Sequence, residues 1–169
     1  MAQLLVDVLA ENRRKGRFLL HEFVIMPNHS HLLLTPAAEI PLEKALQFIK
    51  GGFSYRAKRE INFPLEIWQA SFVNHRIRDG EDYKHHHTYI WENPVRAGLS
   101  ERPELFAWSS ASLRGELDAP PPGLNRLRKN SACKLSKVFP ARYFCFTVKV
   151  DSKKACAAKT RSNRRCSAM

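Results

Sequence analysis

No apolar stretch approaches the ~20 residues that span a bilayer, and no signal peptide opens the chain. A membrane or exported protein is therefore not expected, and a cytoplasmic one is. Cysteine is absent from residues 1–132, and the four present (Cys133, Cys145, Cys156, Cys166) form no C-x-x-C pair. That spacing argues against a structural zinc site and favours free thiols. Acidic residues are scarce, 16 against 28 Lys and Arg, for a formal net charge of +12. The deficit lies in residues 115–169, with 3 acidic and 13 basic side chains, whereas residues 1–114 carry 13 and 15. Such an excess favours a polyanionic partner, nucleic acid above all.

What is present is enough for one domain: 169 residues, 44% of them hydrophobic. All seven histidines fall in residues 1–114, which read as folded; residues 115–169 read as a basic, largely disordered tail that adds affinity for DNA without selectivity. Leu4, Leu5, Val8 and Leu9 predict a first amphipathic helix, which Gly16 can close. Residues 17–26 and 29–35 predict two strands joined tightly at Pro27-Asn28. Pro41 opens a second helix with Leu42, Ala45, Leu46, Ile49 and Phe53 on one face, in which Gly51-Gly52 marks a kink or a close approach. Residues 66–77 predict a further strand. Asp79 caps a third helix, expected to stop near Asn93 because Pro94 follows. Pro120-Pro121-Pro122-Gly123 reads as a linker, and residues 142–150 as a weak strand.

His29-Ser30-His31 is the sharpest chemical feature. On a strand the two imidazoles project together and can hold a divalent metal, although a pair of surface or core histidines has the same spacing. His85, Tyr89 and Asn93 recur at i, i+4, i+8 on the third helix. A tyrosine beside such a pair can attack phosphorus, and an asparagine one turn on can complete a metal shell; equally, a helical tyrosine can simply pack in the core. His85-His86-His87 fans over too wide an arc to bind one ion and is expected to be solvated. Lys50 and Lys58, with Arg56, Arg59, Arg76 and Arg78 nearby, are candidate phosphate contacts or else a solvated face.

Four ordered motifs give these residues a context. Met26-Pro27-Asn28-His29-Ser30-His31-Leu32-Leu33-Leu34 resembles the MPNHxHLLL core of REP-associated tyrosine transposases. These are single-tyrosine HUH transposases of the insertion-sequence two-hundred type. Trp68-Gln69, Phe72 and His75-Arg76-Ile77 resemble the family's WQ-x-x-F-x-x-H-x-I segment. Tyr89-Ile90 with Asn93-Pro94-Val95-Arg96-Ala97-Gly98-Leu99 resembles its Y-I-x-x-NPV-x-AGL signature, and Trp108-Ser109-Ser110 its closing WSS.

The resemblance implies an α/β, ferredoxin-like sandwich: an antiparallel sheet with helices on one face. It implies cleavage of single-stranded or hairpin DNA by a metal-dependent tyrosine, leaving a 5′-phosphotyrosine, in DNA transposition. Carried over by position, Tyr89 is the nucleophile, His29 and His31 are metal ligands, Asn93 is the third, and the ion is Mg2+ or Mn2+. Ser30 departs from the hydrophobic residue usual between the histidines, with a packing cost expected. Relatives carry a strand of the type YHVT-x-R ahead of the first helix, interior to the sheet and beside the His-bearing strand. Without it the His29–His31 strand is expected to have an unpaired edge. A DNA-binding remnant that cannot cut is therefore the alternative to an active nicking transposase. An unrelated phosphoesterase using H-x-H lacks a second motif.

Overall fold

The computed structural model describes residues 1–63, 66–112, 117–120 and 144–150. Helix α1 (Ala2–Arg14) leads into a hairpin of β1 (Phe18–Ile25) and β2 (His29–Pro36). Helix α2 (Leu42–Glu60), strand β3 (Trp68–Arg76), helix α3 (Gly80–Arg96) and a short 3-10 turn at Pro103–Leu105 follow, and strand β4 (Phe144–Val150) comes last. The four strands form one antiparallel sheet in the order β1-β2-β4-β3. No helix among the described residues is long and apolar enough to cross a membrane.

Helix α1 buries the four predicted apolar residues and Asn12, and Gly16 closes it at φ +64. Helix α2 runs through Gly51-Gly52 without a break, and a Cβ on Gly52 would stand 3.5 Å from Val8 Cγ1. That is an ordinary van der Waals distance, so alanine would fit at 52, and the expected kink or close approach does not explain the pair's helix-propensity cost of ~1 kcal/mol per glycine. Helix α3 also passes the point where it was expected to stop. Pro94 removes only its own backbone donor, both it and Asn93 are buried, and the helix closes when Leu99 N–H bonds to Pro94 O at 2.9 Å beside Gly98 at φ +67.

The α/β class with an antiparallel sheet holds, but the helices do not share one face. Helices α1 and α2 cover a core that includes Phe18, Leu20, Phe23, Leu32, Phe146 and Val148. Helix α3 lies on the opposite face, where Tyr83 and Ile90 pack with Val24, Leu33, Ile77 and Cys145. The reason is in β1 and β2: both are buried along nearly their whole length, so each face of the hairpin needs a cover. A bulge between Leu20 and Glu22 lets β1 keep Phe23 on the α1/α2 side while Glu22 turns toward α3.

The expected unpaired edge of β2 is likewise absent. Strand β4 pairs along it from His29 opposite Lys149 to Leu34 opposite Phe144, and pairs on its far side with β3. Residues from beyond the boundary placed at 114 thus occupy the interior place that the resemblance gives to a strand ahead of α1. Asp118 is tied in as well: its carboxylate takes Arg13 (2.8 and 3.0 Å) and Leu20 N–H (2.8 Å). Cys133, Cys156, Cys166 and Pro121–Gly123 lie outside the described residues, while Cys145 is a buried free thiol.

Phe146 is fully buried beside Phe72 and Phe144. Phe146→Ala should therefore cost ~3–5 kcal/mol in a urea titration followed by circular dichroism. Truncation after Gly115 should abolish the cooperative transition, because it removes an interior strand; an unchanged midpoint would show that β4 adds nothing.

Candidate active site under helix α3

Sheet register fixes which way the two histidines face. His31 stands opposite Val24 on β1 and Thr147 on β4, and His29 opposite Lys149, all on the side that α3 covers. Ser30 points the other way, opposite Ile25 and Val148, and its Oγ is buried with no hydrogen-bond partner. Its cost is therefore more than imperfect packing, since an unpaired buried hydroxyl is destabilising by ~1–3 kcal/mol.

The imidazoles of His29 and His31 have centroids 4.8 Å apart at 81°. The Tyr89 ring meets His31 edge-on at 5.1 Å, so the structure brings the strand pair and the helical tyrosine together. Tyr89 is 37% exposed and reachable, whereas His31 is 5% exposed. His29 Nδ1 hydrogen-bonds the Asn28 side-chain oxygen at 2.6 Å, and His31 Nδ1 hydrogen-bonds Thr147 Oγ1 at 2.9 Å. His31 Nε2 is buried without a partner. When Nδ1–H donates to these oxygens, both Nε2 lone pairs are left bare, the state that binds a metal ion.

Burial, and secondarily His29, pushes the His31 imidazole down to about 4; burial and then Lys149 push His29 down as well. Both rings thus favour the neutral form. An orphaned buried nitrogen beside a second neutral imidazole fits a divalent ion. Asn93 follows one turn after Tyr89 and is buried, although among the described residues no hydrogen bond joins it to either imidazole.

The other candidates divide. His85 is exposed, but its neighbours are not the solvated run expected of them. His86 lies against Asp82, and His87 pairs with the buried Glu22 at 2.9 Å and stacks on Trp91. Glu22 also takes a short hydrogen bond from Ser110 Oγ, so the WSS segment and α3 both close on β1. His21 is bound to Thr35 Oγ1 (2.9 Å) and Asp118 O (3.0 Å), away from the pair.

Lys50, Arg56, Lys58 and Arg59 ride on α2, across the sheet from Tyr89. Lys50 Nζ donates to Gln69 O at 2.9 Å while Trp68 Nε1 donates to Lys50 O at 3.0 Å, so the Trp-Gln motif docks β3 on α2. Arg56 is held by Glu60 at 2.6 Å, with Asp7 and Glu11 about 4 Å away. Lys58, Arg59, Arg76 and Arg78 are exposed and free of ion pairs among the described residues. Sequence reasoning missed Thr147, Lys149 and Arg96, whose guanidinium lies 5.9 Å from the Tyr89 ring centroid. Only Arg96, inside the NPV-x-AGL string, had a sequence signal.

Tyr89 on α3 and the inward-facing His29 and His31 on β2 of this antiparallel α/β sheet together form the candidate site. The model of the family described as Transposase IS200 like matches residues 1–93, more than half of the sequence, and the chain belongs to that family. It is 31% identical over 97 residues to the REP-associated tyrosine transposase of Escherichia coli strain K12, covering 57% of this chain and 56% of that one. It is 30% identical over 96 residues to a putative REP-associated tyrosine transposase of Haemophilus influenzae, covering 51% and 54%. The chain thus spans about half the length of these curated relatives. No solved structure matches it.

Two outcomes follow. In the metal-free protein, His31 should stay neutral down to about pH 4 when its ring nitrogens are followed by NMR, well below the ~6.5 of a free imidazole. Proton competition for that ligand should accordingly set in below the pH of ~6.5 that an ordinary histidine implies; titration of His31 near pH 6.5 would contradict the burial argument. Ser30→Ala should raise stability by ~1 kcal/mol, read as a higher denaturation midpoint.

Proposed function

We propose that this transposase-family protein nicks single-stranded or hairpin DNA, with Tyr89 as the nucleophile. The observation that carries this reading is the Tyr89 ring 5.1 Å from His31, whose Nε2 is buried and unpartnered. The phenolic oxygen attacks the scissile phosphorus and the P–O3′ bond breaks. The 5′-phosphate remains on Tyr89, the phenol gives up its proton, and the departing oxygen gains one as a free 3′-OH. His29 and His31, with Asn93, would hold Mg2+ or Mn2+, which when bound draws charge from the phosphate oxygens. His29 and His31 are held in aim by Asn28 and Thr147. Arg96 lies beside the Tyr89 ring and pairs with Glu92 at 2.6 Å, so it must release that carboxylate to meet a phosphate.

Of the six candidate cations, Lys58, Arg59, Arg76 and Arg78 carry no ion pair among the described residues and are available for backbone contacts; Arg56 and Lys50 are engaged within the protein. The reading of an inert DNA-binding remnant rested on an unpaired β2, and the pairing of β4 along that edge favours the nicking reading.

The test uses the full chain, Mn2+ and end-labelled single-stranded and hairpin oligonucleotides. Tyr89→Phe should lose the denaturant-resistant protein–DNA adduct while binding is nearly unchanged, because only the attacking oxygen is removed. An adduct that survives in this variant overturns the assignment. His29→Ala and His31→Ala should each lower Mn2+-dependent cleavage more than ~100-fold, beyond the loss typical of an outer-shell partner. His21→Ala, remote from the site, should retain most of it.

A further inference from the structure

His75 lies one residue before the end of β3, and α3 begins a few residues later with its carboxylate-bearing first turn. Asp82 and His86 lie one turn apart on α3, and both turn back toward His75. His75 Nε2 stands 2.8 Å from one Asp82 oxygen, and His86 Nδ1 stands 3.1 Å from the other. The two imidazoles stack with centroids 4.5 Å apart at 14°, so their nitrogen edges converge on a single carboxylate. One donor atom from each residue lies within 4.8 Å of the other two, and all three residues are partly exposed, so an ion from solvent can enter.

We propose that His75, Asp82 and His86 form a second metal site, distinct from the His29–His31 pair, that takes a borderline divalent ion such as Zn2+. Two imidazoles and one carboxylate are the donor set that suits Zn2+ and its neighbours, and they leave a coordination position open to water.

The two sites are separate in the sheet. His75 shares a cross-strand row with Cys145 and Leu33, whereas His31 shares the row of Thr147. Those rows are two residues apart along the strands, ~7 Å, and β4 lies between β3 and β2, so one ion cannot serve both. Without metal the three side chains form a hydrogen-bonded clasp. Asp82 also accepts from Arg78 N–H at 3.0 Å, and His86 Nδ1 also bonds Asp82 O at 2.9 Å. An ion bound there would replace the contacts to the carboxylate and fasten β3 to the helix that carries Tyr89. The proposal concerns binding, and stands whatever the role of Tyr89.

The experiment uses the full chain, stripped with a chelator, in a His29→Ala/His31→Ala background that disables the first pair. Zn2+ is titrated against a chromophoric chelator, and thermal unfolding is followed with and without the ion. This background should bind one equivalent of Zn2+ and melt at a higher temperature with it. Adding His75→Ala or His86→Ala should weaken binding at least ~100-fold and abolish the thermal shift. His86→Ala keeps a strong helix former on a helix surface, so its fold should survive, as circular dichroism will show. If the background binds no Zn2+, or if the added substitutions leave affinity and thermal shift unchanged, the site is overturned. Loss of DNA cleavage alone bears on Tyr89 and not on this result.

Discussion

Strand β2 is hydrogen-bonded along both edges and covered on both faces, and the candidate site depends on that confinement. Its β1 partner comes from a tight hairpin, whereas its β4 partner comes from the far end of the chain. Pairing with β4 does three things at once. It fixes the side to which His29 and His31 point, because a one-residue slip would turn both to the other face. It brings Thr147 to His31 Nδ1, and it places Lys149 beside His29. Burial of this strand is also the main reason that His31 resists protonation.

The groups around α3 respond to pH in opposite senses. His87 is raised by its hydrogen bond to Glu22, so its contribution to stability is complete below the unfolded value of ~6.5 and is lost as pH rises through the folded value. His21 and His31 are lowered chiefly by burial, so theirs is present above that value and is lost as pH falls toward the folded value. Asp82 remains below its ordinary value because hydrogen bonds from His75 and Arg78 N–H outweigh the effect of burial. The helix that carries Tyr89 is thus held at its first turn by Asp82 and along its length by His87.

Charge is divided in the same functional way. Arg13 and Arg56 are structural cations, joining α1 to Asp118 and to α2. The exposed cations of α2 lie across the sheet from Tyr89, and Arg76 and Arg78 lie near the turn into α3. A strand of DNA that used both sets would therefore run around an edge of the sheet and not across one flat surface. Phosphate contacts of this kind position a backbone and read no bases.

Much of this was legible in the sequence because it is local. Helical periodicity placed α1 and α2, short apolar runs joined by a tight turn placed the β1–β2 hairpin, and the two-residue period of a strand put His29 and His31 on one side. Motif strings pointed to Tyr89, whose ring the structure sets 5.1 Å from that of His31. Other features needed the tertiary structure because they join residues far apart in the chain. Nothing in residues 144–150 says that they pair between β2 and β3, since a seven-residue strand in a basic context carries no address. Nor does the run His85-His86-His87 say that two of its members turn inward, because that depends on where His75 and Glu22 arrive. The chain itself determined which side chains can do chemistry; long-range pairing of β4 and the covering of both faces of β1 and β2 decided which are buried, neutral and aimed.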